Sequence, residues 1–209
     1  MLQQTGWDEA WEEKFTDFAR KGLRPARVLA QHRHNYSLWT ASGEVDAEIA
    51  GALLYRAEAC DLPVVGDWVA IRQYAPTDLA IITDVLPRRT KFSRKASGSA
   101  GEEQVIAANI DLLFIVCGLD HDYNLRRLER YLVAAAQSGA KAAIVLNKAD
   151  LYEADLPHAD FGADLTTRVA EVKAIAAEVP VLSIGRACRQ NDGKHCKHQG
   201  TQAVGHKSS

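Results

Sequence analysis

The hydrophobic period of this chain changes between Leu86 and Gln104, and that change limits the folds open to it. From Arg24 to about Leu86, apolar and polar residues alternate in short runs, which is typical of half-buried β-strands. From Gln104 onward, continuous apolar runs of strand length alternate with helical stripes instead. We therefore expect a β-rich unit followed by an α/β unit, since each pattern needs a different kind of core.

A short amphipathic helix is predicted over residues 7–22, before the β-rich unit. Asp8 can cap its first turn and Gly22 suits its exit. Its apolar side chains recur at spacings of four and three, at Trp11, Phe15 and Phe18. This face indicates a helix packed on the next unit.

Five strand-like runs then follow, separated by turn signals such as Ser42-Gly43 and Gly66-Asp67. The runs are Ala26–His32, Tyr36–Thr40, Val45–Ile49, Trp68–Arg72 and Leu79–Val85. Short strands at this spacing predict a small closed β-barrel, and the OB type is the natural candidate. Such barrels often bind oligonucleotides, but a fold alone does not assign that role.

The next segment, residues 88–102, is predicted as a mobile basic linker. Its first eight residues hold five cations and no acid: Arg88, Arg89, Lys91, Arg94 and Lys95. A solvated cationic loop without any partner is one interpretation. Phe92 lies among the cations beside a possible oligonucleotide-binding barrel, and this favours contact with RNA phosphates.

The α/β pattern predicts three buried strands and two helices. The strands are Ile110–Cys117, Ala142–Leu146 and Val181–Ile184, and the first has the continuous apolar pattern of a strand covered on both faces. Asn124 can cap the first helix and Gly139 can end it. The second helix has its stripe at Leu165, Val169, Val172 and Ala176. Short connections between alternating strands and helices predict a parallel sheet.

A polar motif stands at the carboxyl end of the second of these strands, where open α/β sheets bind ligands. It reads Asn147-Lys148-Ala149-Asp150. Guanine presents two parallel donors, N1–H and N2–H₂, and the Asp150 carboxylate can accept both, whereas adenine has no such pair. Asn147 can bond the far edge of the base and the stem of Lys148 can lie over the ring. A simple polar loop is the alternative.

A GTPase also needs a phosphate-binding loop, and the pattern G-x-x-x-x-G-K-[ST] does not precede this motif. The nearest approach, Gly200 to Ser209, has one residue too many before its lysine and follows no buried strand. Residues 185–209 are poor in apolar side chains, so we expect an aberrant, disordered tail. Four tail residues, Cys188, Cys196, His198 and His206, are of zinc-ligand type, but their spacing is unlike a compact zinc knuckle, and we assign no metal ligand.

Together, the barrel pattern, the basic segment and the guanine motif resemble the circularly permuted GTPases that depend on the small ribosomal subunit and act in its maturation. The resemblance covers about residues 1–183. Its most specific stretches are Gly22-Leu-Arg-Pro-Ala-Arg-Val28, Leu62-Pro-Val-Val-Gly-Asp-Trp-Val69, Leu86-Pro-Arg-Arg-Thr-Lys-Phe-Ser-Arg-Lys95, Glu103-Gln-Val-Ile-Ala-Ala-Asn-Ile-Asp111, Asn124-Leu-Arg-Arg-Leu-Glu-Arg-Tyr131 and Val145-Leu-Asn-Lys-Ala-Asp-Leu151.

In that family an OB barrel precedes a GTPase domain whose motifs run in permuted order. The base-reading motif comes first, followed by a Ser-Ala loop, the P-loop, the switches and a zinc-binding segment. Here Ile184 and Gly185 follow Ser183 where the Ser-Ala loop is expected. The resemblance therefore implies a member truncated before a functional P-loop.

We accordingly expect a mixed fold, an OB-type barrel followed by an incomplete, circularly permuted, P-loop GTPase-like α/β domain. The units are a helix over 1–22, the barrel over 23–87, the linker over 88–102, the partial GTPase domain over 103–184 and the tail over 185–209. The resemblance implies that the cofactors are GTP or GDP, bound weakly here, with magnesium in the full-length family and zinc in its missing segment. It implies the small ribosomal subunit and its rRNA as partners.

The expected function is that of a ribosome-assembly GTPase, with hydrolysis absent or very weak in this chain because no catalytic residue can be named. The alternative is a non-enzymatic OB-fold RNA-binding module with a vestigial nucleotide site. The formal net charge of −2 excludes a protein that coats nucleic acid by bulk charge, so any RNA contact must be local. The first twenty residues carry five acids and no apolar core, so we see no signal peptide. We expect a cytoplasmic monomer that binds neither DNA nor membranes.

Overall fold

The amino-terminal helix packs on the β-rich unit, as its apolar stripe predicts. In the computed structural model, which describes residues 2–33, 35–75, 79–95, 103–120, 123–149 and 161–185, helix α1 spans Glu9–Arg20. Asp8 caps it by accepting a hydrogen bond from the backbone N–H of Trp11 at 3.1 Å. Trp11 and Phe15 are buried against Trp68 of the barrel wall, so this helix adds a small aromatic core outside the barrel.

The predicted five-stranded barrel is present and closed. Its strands are β1 (Arg24–Gln31), β2 (Tyr36–Thr40), β3 (Gly43–Ile49), β4 (Trp68–Arg72) and β5 (Ala80–Val85). They join in the order β1-β2-β3-β5-β4, with β3 and β5 parallel and the other pairs antiparallel. Helix α2 (Gly51–Arg56) lies between β3 and β4, and short 3-10 helices span Leu2–Thr5 and Ala59–Asp61. This arrangement is consistent with the OB type, and inward residues such as Leu38, Ile71 and Ile82 fill its core.

The α/β unit contains a three-stranded parallel sheet, as predicted. Its strands are β8 (Leu112–Gly118), β9 (Lys141–Asn147) and β10 (Val181–Ser183), in the order β10-β9-β8. Helix α3 (Leu125–Ser138) is capped by the Asn124 side chain and ends at Gly139 in the left-handed conformation, and helix α4 spans Phe161–Ala176. Both helices contribute to one core with Ile115, Ile144 and Leu146 on one face of the sheet.

The other face of this sheet is open in the described part of the chain. Phe114 and Val116 of β8 are 57% and 60% exposed, and Leu182 and Ile184 are also exposed. The continuous apolar run predicted a strand covered on both faces, and for β8 that prediction is wrong. The pattern reports which side chains are apolar, whereas coverage depends on which elements pack over them, and the two described helices share one side.

The basic segment between the two units is not the mobile linker that its composition predicts. Lys91–Lys95 form strand β6, which pairs antiparallel with β7 (Glu103–Ala108), and residues 96–102 of the predicted linker lie outside the described part. Arg88 reaches back to the fully buried Asp67 of the barrel. Local composition predicts a solvated loop, but buried acceptors far along the chain hold this segment in place.

Close backbone approach completes the junction between the barrel and β7. The Gly66 N–H donates to Val28 O, and the Ala108 N–H donates to Val65 O at 2.9 Å. A Cβ atom on Gly66 would collide with the Ala108 carbonyl oxygen, and Gly66 also has a φ of +90°, so only glycine fits this contact. The barrel and the β6–β7 hairpin therefore pack as neighbours with direct main-chain hydrogen bonds.

No helix among the described residues is long and apolar enough to span a bilayer. The expected tail from residue 186 onward, with its four cysteine and histidine residues, lies outside the described part of the chain.

Candidate nucleotide site and basic strand

Three strand ends meet at one edge of the parallel sheet. Gly118 of β8 lies in register with Asn147 of β9, and Leu146 of β9 with Ser183 of β10. The residues that leave these strands therefore lie side by side at the carboxyl edge, including Lys148. This edge is where open parallel sheets bind ligands, because the loops there diverge and leave a crevice.

The motif residues Asn147 and Lys148 form a tight, hydrogen-bonded turn at this edge. Lys148 has a φ of +62°, a conformation that non-glycine residues rarely adopt. Its backbone N–H donates to Asn147 Oδ1 at 2.8 Å, so the asparagine side chain supports the turn. The Asn147 carbonyl accepts from the Leu119 N–H at 2.9 Å, which ties the turn to the end of β8.

The end of β10 is tied to the same turn through main-chain hydrogen bonds. The Ile184 N–H donates to Leu146 O at 2.8 Å, and the Ile184 carbonyl accepts from the Ala149 N–H at 3.2 Å. These are main-chain contacts that any residue type except proline can make at position 184. The sequence Ile184-Gly185, which stands where the family has its Ser-Ala loop, thus leaves the main-chain connection between the ends of β9 and β10 in place.

One acidic side chain at this edge was not predicted from the sequence. Asp120 Oδ2 accepts from Lys148 Nζ at 2.6 Å, and the carboxylate is 19% exposed against 47% for the lysine side chain. The signal available in the sequence was its position two residues beyond the apolar strand β8, close to the level at which Lys148 follows β9. Asp150, the predicted base-reading carboxylate, lies outside the described part of the chain, and its role stays a prediction.

The predicted RNA-binding cations fall into two groups. Arg88 is an internal residue, with a side chain only 14% exposed, which donates two hydrogen bonds to Asp67 at 2.9 and 2.8 Å and others to the carbonyls of Cys60 and Leu62. Burial disfavours its charge, but the hydrogen bonds and charge of Asp67 outweigh that effect and raise the pKa of Arg88. Its contacts are those of a structural residue.

Arg89 occupies an intermediate position. Both terminal nitrogens donate to the Asp8 carboxylate, at 2.6 and 2.5 Å, and the guanidinium lies 4.3 Å from the ring of Trp11. The hydrogen bond to Asp8 raises the pKa of Arg89. This residue joins the helix α1 start to the segment before β6.

Lys91, Arg94 and Lys95 lie on β6, away from the barrel core. Lys91 pairs with Glu103 Oε2 at 2.8 Å, and Arg94 donates to the amide oxygen of Gln104 at 3.1 Å. Lys95 is in register with Glu103, and its side chain lies outside the described part. Lys91 and Arg94 are exposed, so these two cations can reach an external phosphate with little rearrangement.

A cleft of about 540 Å³ lies between the barrel and the start of β6. Its charged lining comprises Arg56, Asp61, Asp84, Arg88 and Lys91. Arg56 pairs with Asp84, so its lining carries both acids and bases. Nearby, Glu58, Cys60 and Asp61 bring their ligand atoms within 4.8 Å of one another, but exposed acids often cluster without an ion and we assign no metal there.

Comparisons with known proteins identify relatives of this chain. The family model described as RsgA GTPase matches residues 85–191. "Small ribosomal subunit biogenesis GTPase RsgA" of Opitutus terrae is 44% identical over 196 residues, which cover 89% of this chain and 50% of the relative. The protein of the same name from Syntrophotalea carbinolica is 38% identical over 195 residues, covering 90% of this chain and 50% of the relative. The chain thus spans about half the length of these relatives.

Two solved structures share the fold. YjeQ from Thermotoga maritima superposes with a TM-score of 0.56 at 19% identity, covering 77% of this chain and 51% of that structure. YloQ, described as a circularly permuted GTPase, superposes with a TM-score of 0.54 at 16% identity, covering 78% and 52%. The family match extends over half of the chain and includes the strand ends that form the candidate site, so the chain belongs to the RsgA GTPase family.

Proposed function

We propose that this chain reads a guanine base at the carboxyl edge of β8, β9 and β10. The observation that supports the proposal is the placement of Asn147 and Lys148 in an ordered turn at the end of the central parallel strand. Asp150 follows two residues later and supplies the paired acceptor that guanine requires. The nucleotide's base then lies against the lysine stem, with its donor edge facing Asp150.

The base preference tests this proposal. Asp150→Asn exchanges an acceptor for a donor, so the preference should shift from guanine toward xanthine nucleotides, measured by calorimetry with GDP and xanthosine diphosphate. Asp155→Asn is the matched control, because it changes the same residue type five positions downstream. An unaltered preference in the Asp150 variant would show that this carboxylate does not read the base.

We further propose that this chain acts in the GTP hydrolysis that accompanies small-subunit maturation. The names of the relatives support this activity. Magnesium would neutralise phosphate charge during that reaction. We assign no described residue to the metal, since the carboxylate that lies against the motif, Asp120, is engaged by the lysine ammonium. We expect the present 209 residues, which contain no G-x-x-x-x-G-K-[ST] sequence, to hydrolyse GTP slowly or not at all.

Single-turnover hydrolysis, measured with and without small ribosomal subunits, checks that expectation. No phosphate release above background is expected in either case. Release stimulated by the subunits would contradict it, because the chain would then supply a phosphate site that its sequence does not reveal.

A second candidate function, RNA binding without catalysis, is favoured by the exposed cations of β6. Lys91 and Arg94 lie on a strand beside a closed barrel, with Phe92 between them. Replacing Lys91, Arg94 and Lys95 with Ala should weaken binding to small-subunit rRNA and flatten its salt dependence, by about one slope unit for each phosphate that is no longer neutralised. Replacing the exposed Lys14, Arg20 and Lys21 of the α1 region is the control of equal charge.

A further inference from the structure

The position of the Lys148 side chain is set by the neighbouring strand. Strands β8 and β9 are adjacent and parallel, and the Lys148 ammonium crosses from the end of β9 to the Asp120 carboxylate beyond β8. The Nζ–Oδ2 distance of 2.6 Å is that of a short charge-assisted hydrogen bond. The aliphatic stem therefore lies along the edge where the strand ends meet.

Asp120 is itself held by its local structure. Its carbonyl oxygen accepts from the Tyr123 N–H at 2.9 Å, which ties the backbone of Asp120 to the residue before Asn124. A Cβ atom on Gly118 would lie 2.7 Å from Asp120 Oδ1, so the glycine leaves the space that the carboxylate occupies. With only 19% of its side chain exposed, the carboxylate has little freedom to move away from the lysine.

A lysine side chain that is already held in place loses less rotamer freedom on ligand binding than a flexible one. A flexible Lys side chain must lose rotamer freedom when a ligand packs against its stem, and this cost weakens binding. Here the ion pair with Asp120 has already restricted the side chain, and the carboxylate also balances the charge of the ammonium. The stem is thus presented as an ordered apolar surface beside Asn147, with its charge directed toward β8.

We propose that Asp120 is a positioning residue of the nucleotide site, which orients Lys148 so that its stem packs on the base. This inference rests on the proposed guanine site, and it adds a residue from outside the Asn147–Asp150 motif. It predicts that Asp120 affects the affinity for the base and leaves the contribution of the phosphates unchanged. A carboxylate acting by charge on the phosphates would have the opposite effect, since its removal would strengthen GDP binding.

The test compares guanosine with GDP, by NMR titration of the whole chain. Asp120→Asn should weaken both ligands by about fivefold, the scale of one partly exposed ion pair. Lys148→Met keeps an unbranched apolar stem and removes the ammonium, so it should cause a similar loss, and the double variant should lose no more than either single variant. Asp111→Asn, an exposed acid before the start of β8, is the control and should bind as the original chain does.

Thermal melting of each variant separates positioning from simple loss of structure. Asp120→Asn should melt within a few degrees of the original chain, because the pair is partly exposed. Unchanged affinity for guanosine, tighter GDP binding, or fully additive effects in the double variant would each overturn the positioning role while leaving the guanine site intact. Failure of the original chain to bind guanosine and GDP would overturn the proposed site itself, and the positioning role with it.

Discussion

The Asp67 carboxylate and the Arg88 guanidinium form an ion pair inside the junction between the barrel and β6. Asp67 is fully buried and also accepts from the Val64 N–H at 2.9 Å. Arg88 donates to both carboxylate oxygens and to the carbonyls of Cys60 and Leu62. Removing the arginine would take one donor from each of these four oxygens, of which Asp67 Oδ2 would keep the Val64 N–H, so this pair connects the two units through buried polar contacts.

Arg88→Ala should therefore destabilise the protein by about 3–5 kcal/mol, the cost of leaving a buried charge unpaired. Chemical unfolding monitored by tryptophan fluorescence measures this change. Arg94→Ala is the control, because Arg94 is exposed on β6, and it should shift the free energy of unfolding by less than about 0.5 kcal/mol. Equal small effects from both substitutions would mean that the Asp67 contact does not stabilise the fold.

The Asp8–Arg89 pair should give the stability of the protein an acidic pH dependence. The hydrogen bond from Arg89 is the largest cause that lowers the pKa of Asp8, to about 2 from 3.8. A carboxylate whose pKa is lowered in the folded state stabilises the protein at pH values above its ordinary pKa. This contribution to stability is lost as the pH falls from about 4 to about 2. Melting temperatures across this range should fall more steeply for the original chain than for Asp8→Asn.

Asp8→Asn retains an N-capping side chain, so the comparison removes the ion pair with Arg89 and keeps the cap. Asp17→Asn serves as the control, since Asp17 pairs with Arg20 on the exposed side of α1 with 80% of its side chain in solvent. Identical pH profiles for the original chain and Asp8→Asn would contradict the contribution of the Arg89 contact.

Tyr123 should make the stability of the protein fall as the pH rises in the alkaline range. Burial and the hydrogen bond to Glu171, 3.0 Å long, raise the pKa of Tyr123 to about 12. A raised pKa in the folded state means that the contribution is complete below pH 10 and is lost as the pH rises toward 12. Tyr123→Phe should remove this component from pH-dependent unfolding curves, whereas Tyr131→Phe, exposed on α3, should not.

Shortening a side chain to Ala should change the free energy of unfolding by different amounts on the two faces of the β8–β9 sheet. Ile144→Ala, at a fully buried position against α3 and α4, should cost about 2–5 kcal/mol. Phe114→Ala removes a larger side chain that is 57% exposed on the open face, and it should cost less than about 1 kcal/mol. Denaturant unfolding of the two variants checks this order. A larger loss for Phe114→Ala would show that the open face is covered in solution.

The locations of most helices and strands follow from local pattern alone. The caps at Asp8 and Asn124 and the helix end at Gly139 are predictable because such signals act within a few residues. The parallel order of β8, β9 and β10 was predictable for a related reason, since short connections through helices leave few alternatives. The motif at Asn147 and Lys148 could likewise be placed at a strand end from the sequence.

The roles of Arg88, Phe114 and Asp120 depend on residues distant in sequence. Arg88 belongs to a basic run, and only the fold brings it to Asp67, 21 positions earlier. Phe114 is apolar like its neighbours, and only the placement of the helices on one face leaves it exposed. Asp120 meets Lys148 across 28 positions because β8 and β9 align their ends. Sequence patterns determine the local conformation and which face of a helix or strand is apolar. Long-range packing decides which side chains share a site and which remain in water.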